Sequence, residues 1–378
     1  MTLTVTTVEG RADVTAFIRL PYTLYRDDPL WVAPLERERR AFLDPARHPF
    51  HEVGTVQLFL ARRQGQVVGR IAAIVDPRYT ERHDPHCGQF GLFECADDTD
   101  TAAALFDAAG RWLRERGCSR MLGPLSYSTN DECGVLVDGF DSPPTMLMPH
   151  NRPYYPRLFI DCAFTKAKDL LSWRVPMPPG GEPPAAFRRV AERALSAPGV
   201  RVRPLDPKRF DADTAVMRDL YNDAWSKNYA SVPMTDREFA YMVRQMKPLL
   251  RPELVQIAEV DGEPAAFTLV LPDANQALAA ARGRLTTYGL PIGLIRLQRA
   301  GRRITRIRAI ATGIKKEHRA RGLVAALLTQ AQRTAFRLGY TEIEYSWILE
   351  DNRDANGVPR ALGGAHFRTH RLYERTTA

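Results

Sequence analysis

The chain has 378 residues, 44% of them hydrophobic, and carries 53 Lys and Arg against 44 Asp and Glu, a net charge of +9. That length exceeds one ordinary domain and its apolar content supplies packed cores, which excludes a disordered or fibrous chain. No apolar run reaches the roughly 18 residues that a membrane-spanning helix needs, the start MTLTVTTVEGRADV lacks the basic and apolar blocks of a secretory signal, and a cytoplasmic location is expected. Five cysteines with no CxxC spacing argue against a disulfide framework and a thiolate zinc site. RHDPHC brings His83, His86 and Cys87 together but nominates no further ligand, so it reads as a polar loop and no metal is expected.

In chain order, VQLFLARRQGQVVGRIAAIVDPR reads as a β-hairpin turning at Gly65, and TAAALFDAAGRWLRERG (101–117) as an amphipathic helix. RVPMPPGGEPPAAF is a Pro/Gly-rich linker leading into a short helix that ends near Ser196. YNDAWSKNYASVPMT then interrupts a helical pattern, and LVQIAEVDGEPAAFTLVLPDAN reads as a second hairpin turning at Gly262. From Asp273 to Glu317 there is no acidic residue between ten basic ones, and Tyr288 is the single aromatic of that basic stretch. Residues 304–314 alternate as a strand, a helix starts at Leu323, EIEYSWILEDN is a strand, and a short helix and final strand follow.

These elements repeat. Residues 101–117 match LVAALLTQAQRTAFRLG (323–339) without a gap at an offset of 222, which also pairs Asn130 with Asn352. NRPYYPRLFIDCAFTKAKDLLSW, starting at Asn151, matches NRDANGVPRALGGAHFRTHRLYE, starting at Asn352. The hairpin turns are offset by 197, so the second copy carries about 25 additional residues, the acid-free basic segment, before its next strand. The expected architecture is two similar α/β units, 1–175 and 199–378, joined by a linker and short helix at 176–198. Each unit is expected to carry helices, a hairpin and its own closing strand.

Gly322 separates the basic loop from the helix at Leu323. Helix-start amides, the positive end of the helix dipole, Arg319 and Arg321 converge there, an arrangement that holds a phosphate. Alone, this is equally an ordinary helix start with a solvated charge run. The repeat sharpens it: residues 319–323, Arg-Ala-Arg-Gly-Leu, correspond to Asp97, Asp98, Thr99, Asp100 and Thr101. A phosphate at the first copy would meet carboxylates at a cost of about 1 kcal/mol or more per pair.

Arg319-Ala320-Arg321-Gly322-Leu323-Val324 between a strand and a helix resembles the Q/R-x-x-G-x-G/A signature of the GCN5-related N-acetyltransferase (GNAT) superfamily. It departs only at Val324. The later YSWILEDN, short helix, LGG and last strand are similar to the second half of that family's fold. The resemblance implies an α/β fold with a mixed sheet in two tandem acyl-CoA N-acyltransferase-like units, the first degenerate. It implies acetyl-CoA, or another acyl-CoA, as cosubstrate, held by Arg319, Ala320, Arg321, Gly322, Leu323, Val324 and Ala325. Thr312, Gly313 and Ile314 would lie along the thioester and Asn352 near the pantetheine arm. The activity implied is transfer of an acetyl group to an amine by direct attack in a ternary complex.

The family's tyrosine acid, seven residues after the Asn, is replaced by Pro359, and by Leu158 in the first copy. Glu350 and Glu344, on one strand face by period two, are the candidate bases, and Tyr373 a candidate acid. Each also reads as an ordinary strand carboxylate or packed aromatic. Asn228 and Tyr229 suit a polar small-molecule amine or a peptide acceptor, and equally a helix-loop-helix corner packed on Trp225. The other functions weighed are a noncatalytic acyl-CoA sensor and a basic protein for nucleic acid or an anionic membrane surface. The dearth of aromatics disfavours nucleic acid, whereas LPIGLIRLQRAGRRI suits weak contact with a membrane surface. The oligomeric state is not encoded in these patterns.

Overall fold

The structure, a computed structural model, describes residues 2–286 and 290–377; Tyr288 lies outside the described residues. The first half comprises β1 (Leu3–Thr7), α1 (Gly10–Leu24), α2 (Glu36–Phe42), β2 (Thr55–Arg63), β3 (Gln66–Val75), α3 (Pro77–Arg82), β4 (Cys87–Cys95), α4 (Thr99–Arg114), β5 (Arg120–Gly123), β6 (Val135–Asp138), α5 (Tyr155–Asp161) and β7 (Thr165–Pro176). After α6 (Ala185–Leu195), the second half comprises β8 (Val200–Pro204), α7 (Phe210–Trp225), α8 (Asp236–Met246), β9 (Gln256–Val260), β10 (Glu263–Pro272), α9 (Asn275–Ala281), α10 (Ile292–Gly301), β11 (Arg306–Ile314), α11 (Leu323–Arg337), β12 (Glu342–Leu349), α12 (Arg353–Ala361) and β13 (Ala365–Thr376).

The repeat is visible in the backbone. The β2–β3 hairpin turns on Gln64 and Gly65, and β9–β10 on Asp261 and Gly262, all four at positive φ. Such two-residue turns match the right-handed twist of the paired strands, and glycine takes the second position without steric cost. In both halves the long helix buries one face against its hairpin: Ala102, Leu105, Phe106 and Ala109 on α4; Leu323, Ala326, Leu327 and Ala331 on α11. The 3.6-residue spacing of these apolar positions makes each helix one-sided.

All strands join one mixed sheet, in the order β1-β2-β3-β4-β5-β13-β7-β12-β11-β10-β9-β8, with β6 on β13. The order departs from self-closing units. β7, from the first half, runs antiparallel to β12, with Glu342 opposite Pro176 and Leu349 opposite Leu170. β13, from the second half, runs antiparallel to β5, with Tyr373 opposite Gly123 and Thr376 opposite Arg120. The two halves exchange their closing strands, and the exchanged strands pair with each other at the centre. Both strands are long and alternating, so either could fill either edge; period two specifies which face is buried but not which neighbour is joined.

Candidate active site

The parallel pair β11 and β12 is in register only from Arg306 opposite Glu342 to Ala309 opposite Tyr345; beyond that level the strands are unpaired with each other. Both carry an irregularity there. Against β10 the register shifts between Leu269 and Val270, which leaves Ile310 as an extra residue on β11. Against β7 the register of β12 shifts between Tyr345 and Ile348. Bulges bend strands and re-aim their edges. Here they open a V between the strands.

At its base sits Arg308, 3% exposed. Its Nε donates to the Ser346 hydroxyl at 2.8 Å and its Nη2 to the Ser346 carbonyl oxygen at 3.1 Å, while Nη1 donates to the Met146 carbonyl. Burial holds the Arg308 pKa below its usual value, against the opposing fields of Glu344 and Asp273. On the other arm, the Lys315 N–H bonds to Ala265 O on β10 at 2.9 Å. By strand alternation the Thr312 and Ile314 amides face the opened edge instead. Gly313 is also a packing position, since a side chain there would strike the Phe267 ring and approach Trp225.

The V leads to the basic loop. Lys316–Arg321 forms a tight turn, Gly322 follows at φ 73, and α11 starts at Leu323. The left-handed conformation fits glycine, and a β-carbon would also press on Val190 of α6. Arg319, Ala320 and Arg321 are exposed, and among the described residues neither arginine has an ion-pair partner. Amides at the start of a helix with free cations beside them fit the diphosphate of a coenzyme A.

The first half has the same scaffold in a closed form. Arg63 and Thr101 engage Asp98, and Arg157 engages Asp97, so protein cations already neutralise that helix start. Its own strand opening is filled by chain: the Leu125 amide bonds to Phe90 O at 2.8 Å, and a side chain at Gly91 would collide with the Leu125 backbone.

Two segments of the first half reach into the second. Residues 126–134 dock on α7 and the following loop: Tyr221 donates to Asn130 Oδ1 at 2.7 Å, Asn130 Nδ2 to Val232 O at 3.3 Å, and Thr129 to Ala230 O at 3.3 Å. Residues 139–150 lie along β12 and β10, with Thr145 bonded to Glu344 at 2.8 Å and the Met146 amide to Asp273 at 2.9 Å. Arg368, fully buried on β13, anchors this segment through Gly139 O and Ser142.

These segments wall two adjoining cavities. The smaller, about 120 Å³, is lined by Ile310, Ala311, Ser346 and Trp347 of the V and by apolar side chains of α7 and α8, including Met217, Phe239 and Met246. The larger, about 1300 Å³, lies between the halves. Both are lined by Asn130, Asp131, Leu147, Met234, Met242 and Met246, so they adjoin across these side chains. Asp131 stands at the junction. Its neighbours are paired, Glu132 with Arg39 at 3.3 Å and Glu238 with Arg78 at 2.6 Å, whereas its own carboxylate has no ion-pair or hydrogen-bond partner among the described residues. Burial first, then the fields of Glu132 and Glu238, push its pKa up to about 8 against the opposing pull of Arg39.

The residues nominated from sequence fall in different places. Thr312, Gly313, Ile314 and residues 319–325 are consecutive along the V and its mouth. Asn352 caps α12, accepting the Ala355 amide at 3.1 Å. Glu350 pairs with Lys166 at 2.6 Å and accepts the Asp169 amide at 3.0 Å, on the surface of β7. Glu344 is buried against Thr145. The extra residue on β12 reverses the alternation between them, so Glu344 and Glu350 do not share a face as period two suggests. Tyr373, carried by the exchanged β13, stacks on Phe159 in the core of the first half, ring centroids 4.7 Å apart. Tyr229 packs beneath Lys168 (5.1 Å), and the Asn228 amide closes a turn on Trp225 O.

Asp131 escaped the sequence reading, although a signal existed. Asn352 is matched by Asn130 at offset 222 and by Asn151 at offset 201, which marks an insertion of 21 residues in the first copy. Most of the two inserted walls lie there.

A model of the acetyltransferase (GNAT) family matches residues 214–363. The chain is 38% identical over 381 residues to a bacterial ceramide synthase of Caulobacter vibrioides, covering 99% of this chain and 97% of that one. It is 36% identical over 375 residues to protein YghO of Escherichia coli, covering 98% and 95%. Among solved structures, a tandem GNAT protein of the clavulanic acid biosynthesis pathway shares the fold at TM-score 0.56 and 13% identity, over 100% of this chain and 99% of that one. A GCN5-related N-acetyltransferase from Sphaerobacter thermophilus shares it at TM-score 0.54 and 14% identity, over 99% and 96%. The protein belongs to the GNAT family, as a tandem member with one degenerate unit. It is an acyl-CoA-dependent N-acyltransferase.

Proposed function

We propose that the second half transfers a long-chain acyl group from acyl-CoA to the primary amine of an amphiphilic acceptor, a long-chain amino alcohol. The observation that carries this reading is the mostly apolar pocket against the V, lined by Met217, Met234, Met242 and Met246, which adjoins the larger cavity between the halves. An acetyl group would leave it empty, whereas each methylene buried there contributes about 0.8 kcal/mol. Methionines adapt to flexible alkyl chains. The name of the Caulobacter relative points the same way, since a ceramide is the fatty amide of such an amino alcohol.

Arg319, Arg321 and the amides from Gly322 onward would hold the diphosphate, and the Thr312 and Ile314 amides the pantetheine side of the V. When bound, the cosubstrate supplies the activated thioester carbonyl. The acceptor nitrogen attacks that carbon, the C–N bond forms, and the C–S bond breaks with the electron pair leaving on sulfur. Asp131, at the junction of the two cavities, takes the proton from the nitrogen. A carboxylate poised near neutral pH suits this task, because it is basic enough to accept the proton and still substantially ionised. This role replaces that expected for Glu350, whose carboxylate is bound to Lys166.

The test is a thiol-release assay on the purified protein with acetyl-, octanoyl- and palmitoyl-CoA, crossed with a long-chain amino alcohol and with short polar amines. The ratio kcat/KM is expected to rise with both chain lengths. Equal or better turnover with acetyl-CoA and a polar amine overturns the reading.

A further inference from the structure

Helix α10 belongs to the basic insertion that the first copy lacks, where α3 alone bridges β3 and β4. It is therefore an addition to the repeat and is not needed to close the sheet. Leu297, Gln298, Gly301 and Arg302 line the larger cavity. The N-terminal end of the helix is unusual for one meeting solvent. Leu290, just before the helix, and Leu294 and Ile295 in its first turn are 59%, 38% and 44% exposed, an apolar cluster at one end of α10. Along the same helix and at its end stand Arg296, Arg299 and Arg303, all exposed and, among the described residues, without an ion-pair partner. The next basic residue upstream in the insertion, Arg284, is paired with Glu36 at 3.3 Å, so acidic partners are engaged where they exist.

We infer that the start of α10 docks the enzyme on an anionic lipid bilayer, Leu290, Leu294 and Ile295 entering the headgroup boundary and the arginines of the helix meeting lipid phosphates. Exposed aliphatic side chains beside unpaired cations are the combination that lies in a membrane interface. Nucleic acid would engage the arginines but offers nothing to the exposed aliphatic side chains of Leu290, Leu294 and Ile295. The geometry also gives the contact a purpose. The N-terminal end of α10 touches lipid while Leu297 and Gly301, further along the same helix, wall the cavity assigned to the acceptor, so an amphiphile has a short path from bilayer to V. That purpose rests on the proposed lipophilic substrates, but the docking itself does not.

The experiment is co-sedimentation of the full chain, without substrates, with vesicles of phosphatidylcholine alone and of phosphatidylcholine containing phosphatidylglycerol. Binding is expected to the second and not the first, and to weaken as salt is raised. Leu294→Ser with Ile295→Ser, and separately Arg296→Glu with Arg299→Glu, should each lower the vesicle partition coefficient at least tenfold. Both pairs should leave thiol release from octanoyl-CoA with a soluble amine unchanged. The inference is overturned by equal binding to both vesicle types, by binding that survives both double variants, or by tighter binding to duplex DNA than to anionic vesicles at the same salt. It is equally overturned by a lipid-independent dimer that the Leu294→Ser, Ile295→Ser pair abolishes, which would assign the apolar cluster to a second copy of the chain.

Discussion

Arg308 holds Ser346 by its hydroxyl and its carbonyl at once, at 2.8 Å and 3.1 Å, across the level where β11 and β12 part. The forked, planar guanidinium can make both bonds while also reaching the segment at Met146; an ammonium cannot. Arg308→Lys is expected to fold but to lower kcat/KM about tenfold or more, because the base of the V is no longer fixed. Arg308→Ala leaves buried carbonyls unpartnered and should cost about 3–5 kcal/mol of stability. Thermal melts with steady-state kinetics check both, and wild-type kinetics for Arg308→Lys would refute the positioning role.

One acyl-CoA should bind per chain. The first half neutralises its own helix start with Arg63 and Arg157 and fills its strand opening with the Leu125 backbone. Isothermal titration calorimetry should give a stoichiometry of one. Arg319→Glu with Arg321→Glu should weaken CoA by about 10²-fold or more, since two charge-assisted contacts become repulsive. A stoichiometry of two, or unchanged affinity in that double variant, contradicts the assignment.

Asp131→Asn is expected to reduce kcat/KM by about 10²-fold or more with CoA affinity little changed. In the wild type the rate should climb with pH toward about 8, as the carboxylate ionises. Stability should move the opposite way. Between the ordinary carboxylate range and about pH 8 the folded chain keeps a proton that the unfolded chain has released, so this group lowers stability as pH rises through that window. Asn carries no such penalty, and Asp131→Asn should melt a few degrees higher at pH 8 to 9. Glu350→Gln serves as the comparison: it loses a half-exposed pair with Lys166 and should keep kcat/KM within about threefold. The reverse ranking of the two variants would return the base to Glu350.

The sequence was legible wherever the signal was local. Helix periodicity located α4 and α11, the turn pairs at Gly65 and Gly262 located both hairpins, and the charge contrast between residues 97–101 and 319–323 separated the two helix starts. What stayed hidden depended on distant neighbours. Asp131 is one acidic residue among many in the sequence, and its raised pKa arises only where folding buries it beside Glu132 and Glu238. The bulge that turns Glu350 away from Glu344 is set by pairing with β7, a strand from the other half.

Because β7 completes the sheet beside β12, a fragment covering 199–378 should aggregate or lose activity: β12 would present a bare edge and β13 would lack β5, β6 and β7, all of its partners. Co-expression of 1–180 with 181–378, divided in the linker after β7, should instead reassemble an active complex, because every strand pair is then available. Recovery of a soluble, active 199–378 fragment would refute the dependence.

The exchange also sets a timetable. During synthesis β5 is finished long before β13, the strand that covers it, and at about 5–20 residues per second the wait is on the order of tens of seconds. For that interval the first half leaves the ribosome with an open sheet edge, a state that invites chaperones or mispairing. A strand made late, β13, therefore seals the sheet begun in the first half. The Thr377 amide and hydroxyl tie the end of the chain to Ser119 and Cys118, both at 2.9 Å. A chain lacking β13 would keep the Gly322 loop but leave β5 and β7 without the strand that joins them.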